Sequence, residues 1–226
     1  MSRSSSRGRP NAPARSSNRV SRRARSDIER RDFHTEGAVH PSVLAFDAEG
    51  RLLRAVQINS PNQDERPEGA AVCLLVVHNI SLPPGEFGGT DVVDLFLNRL
   101  DPDAHPFYQG LRGLEVSSHF FIRRTGELIQ FVPCERRAWH AGASRWRGRE
   151  RCNDFSIGIE LEGSDYLAFS DAQYAELARL TRDLYARYPI QDVAGHADIA
   201  PGRKTDPGPC FDWARYRMLI AAETGS

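Results

Sequence analysis

An apolar run, A-A-V-C-L-L-V-V, extends from Ala70 to Val77. Its length and β-branched content predict a strand buried on both faces, and His78 stands at its carboxyl end, followed by Asn79. Ser156 to Glu162 alternates instead, with Ile157, Ile159 and Leu161 on one face and Ser156, Gly158, Glu160 and Glu162 on the other. The second face begins with small residues and ends with carboxylates, as the floor of a site would. The competing reading is a half-exposed strand with solvated glutamates, and parity does not separate Glu160 from Glu162. Glu115 to Arg123 reads as a strand that buries His119. Leu128 to Val132 reads as its return partner across the Thr125-Gly126 turn. Val39 to Ile58 holds two short apolar segments around Ala48-Glu49-Gly50, a hairpin or an entry strand.

Helical spacing marks three segments. Thr90 is placed to cap a helix running to about Leu100, with Val92, Val93, Phe96, Leu97 and Leu100 on its apolar side. Ser170 and Gln173 match a capping box ahead of Tyr174, Leu177, Ala178, Leu180, Thr181, Leu184 and Tyr185, in a helix that ends before Pro189. Asp212 to about Glu223 predicts a final helix. Ser81 to Gly89 is a loop of Pro and Gly. So is Gly195 to Phe211, G-H-A-D-I-A-P-G-R-K-T-D-P-G-P-C-F, whose prolines and glycines exclude a long helix or a central strand. It gathers His196, Lys204 and Asp206. An imidazole and a carboxylate suit a divalent metal, and a lysine suits a developing oxyanion, but these residues alone are half a metal site.

Length, charge, cysteines and apolar runs each add to this picture. The 226 residues suffice for one domain of ordinary size. Lys plus Arg equals Asp plus Glu, 30 each, yet Met1 to Arg25 holds eight Arg and no acid, so the remainder is net acidic. Residues 1–26 therefore read as a disordered Arg/Ser-rich tail, residues 27–50 as an extension and residues 51–226 as the folded domain. No nucleic-acid partner is expected of that domain. Cys73, Cys134, Cys152 and Cys210 form no C-x-x-C pair, which excludes a zinc ribbon, and Cys73 is expected to be a small buried hydrophobe. No apolar export or membrane-spanning run is present, so a cytoplasmic setting is expected.

Five segments carry a resemblance. They are L-L-V-V-H-N-I-S-L-P-P-G-E-F-G-G (Leu74 to Gly89), D-P-D-A-H-P-F (Asp101 to Phe107), R-A-W-H-A-G (Arg137 to Gly142), R-G-R-E-R-C-N-D-F-S-I-G-I-E-L-E-G (Arg147 to Gly163) and the Gly195 loop. Together, from about Arg51 to Glu223, they resemble the N-acetylmuramoyl-L-alanine amidase type 2 family. Within it they resemble the cytoplasmic enzymes that act on 1,6-anhydro-muramyl peptides.

The resemblance implies an α/β fold, a mixed β-sheet flanked by helices as in T7-lysozyme-type amidases and peptidoglycan-recognition proteins. It implies one catalytic zinc on His78, His196 and Asp206, with Glu160 and Lys204 as catalytic residues. Asn79, Trp139 and Arg151 match positions near the substrate, a small anhydromuropeptide. The expected reaction cuts the amide between the lactyl group and L-Ala, by a monomer with no membrane attachment. One departure is visible: the family carries Arg just before V-S-x-H, where this chain has Glu115, with Arg112 nearby as a candidate substitute. Two other readings remain, an amidase acting on intact cell wall and a non-catalytic peptidoglycan-recognition module.

Overall fold

The computed structural model describes residues 45–222. The 1–26 tail, residues 27–44 of the extension and residues 223–226 lie outside the described residues. The strands are β1 (Val56–Gln57), β2 (Gln63–Glu65), β3 (Leu74–Ile80), β4 (Phe120–Ile122), β5 (Leu128–Gln130), β6 (Arg136–Ala138), β7 (Arg145–Trp146), β8 (Arg149–Glu150), β9 (Ser156–Glu162) and β10 (Asp192–Gly195). The helices are α1 (Asp91–Phe96), α2 (Asp171–Arg187), α3 (His196–Ile199) and α4 (Trp213–Ala221).

Six strands form one mixed sheet in the order β1-β5-β4-β9-β3-β10, while β2 pairs with β6 and β7 with β8. Within the large sheet β4, β9, β3 and β10 are mutually parallel, and β4 and β5 form the antiparallel hairpin. The expected α/β architecture is the observed one. Phe46 and Leu52 bridge across the turn at Ala48-Glu49-Gly50, as a hairpin there requires.

Alternation along β3 and β9 sorts their side chains between two layers. Leu75, Val77, Ile157, Ile159 and Leu161 point into a core with Leu177, Leu180 and Leu184 of α2 and Tyr216 of α4. Thr181 Oγ1 and Tyr216 OH, 2.6 Å apart, join the two helices inside that core. All seven residues of β9 are buried, so the glutamates at its end are not solvated. A central strand of a parallel sheet is covered on both faces, and alternation in its sequence marks which cover each residue meets.

Several elements differ from expectation, each for a local reason. β3 continues through Ile80, so His78 lies inside the strand and not at its end. α1 stops at Phe96, because Asn98 turns into the left-handed region at φ 57°, and Thr90 makes no side-chain cap bond. The strand expected from Glu115 shrinks to Phe120–Ile122. Ahead of it, Ser117 N donates to Trp139 O and Ser117 Oγ to Asn62 O, which draws that segment off the ladder. Cys73 is partly exposed, not buried; all four cysteines are free. No helix of the described residues is long and apolar enough to cross a membrane.

The capping box of α2 forms as expected. Gln173 N donates to Ser170 Oγ, and Ser170 N donates to Gln173 Oε1. Ser170 Oγ also donates to Arg124 O, tying the helix start to the hairpin turn. Ser170→Ala should cost about 1 kcal/mol, or a melting temperature lower by about 2–4 °C, measured by calorimetry with unchanged far-ultraviolet circular dichroism.

Candidate active site

Parallel register builds the site. His78 of β3 pairs with Glu160 of β9, and Val77 of β3 pairs with Gly195 of β10, so His196 follows at the same end of the sheet. The loop after β10 opens with one helical turn, α3, which the prolines do not interrupt because they begin at Pro201. Asp198 Oδ2 accepts from Gly195 N at 2.7 Å and holds that turn. Further along, Ala197 N donates to Asp206 O, which brings the loop back so that Asp206 faces His196.

Three donor atoms converge there. His78 Nδ1, His196 Nδ1 and Asp206 Oδ2 are each 3.0 Å from the other two. These residues form a group able to hold a metal ion, two of them buried and the third partly so. The donor set fits a zinc ion. Tetrahedral ligands at about 2.0–2.2 Å from a zinc lie roughly 3.3–3.6 Å apart, so the 3.0 Å spacing needs to open by only a few tenths of an ångström to admit the ion. His196 Nε2 lies 3.1 Å from Ala141 O, so its proton is committed to that carbonyl and the Nδ1 lone pair faces the other two atoms. A carboxylate oxygen and an imidazole lone pair converging in a buried place call for a cation between them.

A cavity of about 410 Å³ opens onto this group. Asn79, Trp139, Glu160, His196, Lys204 and Asp206 are among its lining residues, and His78 lies directly behind them. Its far wall is apolar, with Leu82, Pro84, Phe107 and Leu114, and Tyr166 stands exposed at its rim. Asn79 Nδ2 donates to Asp165 Oδ1 at 2.7 Å, which fixes the amide across the cavity mouth.

The two carboxylates that parity left equivalent have different surroundings. Glu162 Oε1 accepts from Gly88 N at 2.6 Å and Oε2 from Arg124 N at 2.8 Å, with Arg123 Nη1 at 3.6 Å. It anchors the Ser81 to Gly89 loop, which walls the cavity, to the β4–β5 turn. Glu160 Oε2 is buried with no hydrogen-bond partner among the described residues. Burial first and the nearby Asp206 second push the Glu160 carboxyl well above the ordinary carboxylate range, and Lys204 pulls it partly back. A buried carboxyl with an unpartnered oxygen and a raised pKa, facing a cavity, has the chemistry needed to take up and release a proton.

Arg151 is not brought into the cavity. It takes a left-handed conformation at φ 61°, pairs with Asp154 at 3.2 Å and borders a separate recess with Ser144, Pro201 and Arg203. Glu115 borders another recess, beside Arg112, whose guanidinium is 2.7 Å from Asp103. Sequence reasoning gave no role to His140, Asn153 or Arg203. Asn153 Oδ1 accepts from His140 N and Ala141 N, fixing the Trp139–Ala141 backbone. Arg203 Nη2 donates to Ala141 O and Ala143 O. The signal for them lies in the dense motifs R-A-W-H-A-G and C-N-D-F and, for Arg203, in P-G-R-K-T of the Gly195 loop, none of which periodicity reads.

The comparisons with known proteins bear on this site. A family model described as N-acetylmuramoyl-L-alanine amidase matches residues 68–209. The chain belongs to the N-acetylmuramoyl-L-alanine amidase family. The 1,6-anhydro-N-acetylmuramyl-L-alanine amidase AmpD of Escherichia coli (strain K12) is 58% identical over 178 residues, covering 78% of this chain and 97% of the relative. A crystal structure of a selenomethionine AmpD derivative has a TM-score of 0.76 at 58% identity, covering 77% of this chain and 98% of that one. A complex of the amidase AmiD from E. coli with its substrate anhydro-N-acetylmuramic acid-L-Ala-D-γ-Glu-L-Lys has a TM-score of 0.50 at 35% identity, covering 69% of this chain and 60% of that one. This chain is thus an amidase of that family, with an AmpD-like fold.

His119 is the buried neighbour expected beside the site. Its Nδ1 accepts from Gly158 N at 3.0 Å, and its Nε2 faces Arg136 O at 3.1 Å. Burial, then the charge of Arg66, push it well below its ordinary value of 6.5. It stays neutral when folded but takes a proton in the unfolded chain below about pH 6.5, so its contribution to stability is lost as pH falls. His119→Gln should therefore be less stable at neutral pH, with the gap to the parent narrowing toward about pH 5. Denaturant melts across that range read the narrowing; a constant gap rules out this account of His119.

Proposed function

We propose that this amidase is a zinc enzyme that hydrolyses the amide between the lactyl group of 1,6-anhydro-N-acetylmuramic acid and L-Ala of the stem peptide, in the cytoplasm. The observation that carries the reading is the meeting of a three-atom donor set, an orphaned buried carboxyl and a lysine at one cavity. His78, His196 and Asp206 would hold the zinc, which would supply a Lewis acid able to make water nucleophilic near neutral pH.

The chain's own residues do the rest. Glu160 Oε2 takes a proton from the attacking water and delivers it to the departing L-Ala nitrogen. A raised carboxyl pKa suits both halves of that transfer, since the group must accept a proton and then release it. Lys204 stabilises the oxyanion that develops on the lactyl carbonyl, a role worth about 3–4 kcal/mol for comparable donors. Asn79 and Trp139 orient the substrate, the first by its amide and the second by its ring. Arg151 has weaker support, because it borders a different recess. The anhydro sugar suits the apolar wall of Leu82, Pro84 and Leu114, and the substrate named in the AmiD complex is of this class. The chain is expected to act as a monomer on this small substrate, with no membrane or nucleic-acid partner.

The purified protein should carry about one zinc per chain, lose activity to a chelator and regain it with zinc. An active preparation without metal by elemental analysis would rule the zinc reading out. Glu160→Gln should keep zinc and melting temperature while losing orders of magnitude in turnover. Glu162→Gln should do the reverse, losing about 1.5–3 kcal/mol of stability with little change in turnover per folded molecule, because its charge-assisted bonds are structural. Equal, mild effects of the two would sink the assignment.

The substrate is tested by competition. Equal concentrations of an anhydromuramyl-tripeptide and its reducing counterpart, with released peptide followed for each, should show preference for the anhydro form. Preference for the reducing sugar, or efficient release from intact sacculi, would move the protein to the cell-wall reading.

A further inference from the structure

We propose that His140 is a positioning residue that fixes the tautomer of His78, so that His78 presents a bare Nδ1 to the metal. The inference rests on the metal reading above. It begins with a difference between the two histidines of the donor set. His196 gives its Nε2 proton to a carbonyl, an acceptor that has no choice of role. His78 Nε2 faces another imidazole, His140 Nδ1, at 3.0 Å. A neutral imidazole is a donor at one nitrogen and an acceptor at the other, so this contact does not by itself say which ring holds the proton.

The direction comes from further along. His140 Nε2 lies 3.1 Å from Ser156 Oγ, and Ser156 Oγ lies 2.6 Å from Cys152 O. The carbonyl only accepts, so Ser156 Oγ donates to it. The serine oxygen then accepts from His140 Nε2, which leaves His140 Nδ1 as an acceptor. His140 Nδ1 therefore accepts from His78 Nε2, and the His78 proton lies away from the site. The Cys152 carbonyl, on a 3-10 turn, thus sets the face of His78 through two intervening side chains.

The surroundings keep the chain of bonds in register. His78, His140 and Ser156 are all buried, so water does not compete for their bonds. His140 N is held by Asn153 Oδ1 at 3.2 Å. The His140 ring lies flat against β9 at Gly158, where an added Cβ would fall 2.5 Å from the ring Cγ. No residue but glycine leaves room for the ring at that strand position. Partners of this kind behind a metal-bound histidine commonly change metal affinity 10–100-fold when removed.

Two substitutions and one spectrum test the proposal. His140→Leu removes the acceptor, whereas His140→Asn can return an amide oxygen near the Nδ1 position. Zinc affinity is read by competition with a chromogenic chelator, and the melting temperature of the metal-free proteins reports folding. His140→Leu should bind zinc 10–100-fold more weakly, and His140→Asn should recover most of that loss. Nitrogen-15 spectra of the metal-free parent, labelled at histidine, should show His78 protonated at Nε2. Protonation of His78 at Nδ1 in the parent would overturn the proposal, whatever the variants do. So would unchanged zinc affinity in a folded His140→Leu protein, or an Asn variant as weak as the Leu variant. A parent that binds no zinc would defeat the metal reading itself, a failure visible before any variant is made.

Discussion

The site depends on one constraint, the parallel register of three adjacent strands. β9, β3 and β10 pair so that His78 sits opposite Glu160 and Val77 opposite Gly195. A slip of one residue in either pairing would turn the metal-facing side chains toward the α2 side of the sheet, because successive residues point to opposite faces. The register is secured on that other side, where Leu75, Val77, Ile157 and Ile159 pack against α2. Hydrophobic burial on one face thus holds polar atoms to within bonding distance on the other.

The polar face has its own framework. Arg66, just after β2, donates to the carbonyls of Cys134, Asn153, Asp154 and Ser156. These carbonyls belong to the segment before β6 and to the turn entering β9, so one guanidinium joins the segments behind the histidines. Glu162 does a matching task at the opposite end of β9, joining the cavity wall to the hairpin turn. The chemistry lies between two charges, the half-buried Arg66 and the buried Glu162, each held mainly by backbone groups.

What the sequence reveals follows from where physical signals are local. β3 is legible as an unbroken apolar run, β9 by its alternation, and α2 because burial imposes a helical period and its capping box is contained within four residues. β1, two residues long, has no period to read. The end of α1 depends on Asn98 adopting a left-handed conformation, which composition does not announce. The donor set is legible only through resemblance, because His78 and His196 are brought together by strand pairing and not by spacing. Glu160 and Glu162 share a face, and their difference lies in partners from distant loops: Gly88 and Arg124 satisfy the oxygens of one, while Oε2 of the other has no partner among the described residues. Arg151 matches a motif, yet its backbone turn and its pairing with Asp154 direct it elsewhere.

The contact between Gly158 and the His140 ring has a consequence for how such a chain can change over time. The two positions lie 18 residues apart in the sequence, yet the space that one lacks is the space that the other fills. Neither can drift alone. A side chain arriving at 158 evicts the ring, and a smaller residue at 140 leaves a void against a bare strand. Descendants of this chain should therefore inherit the pair intact or abandon both together, which makes the strand glycine as much a part of the chemistry as any residue that touches the substrate.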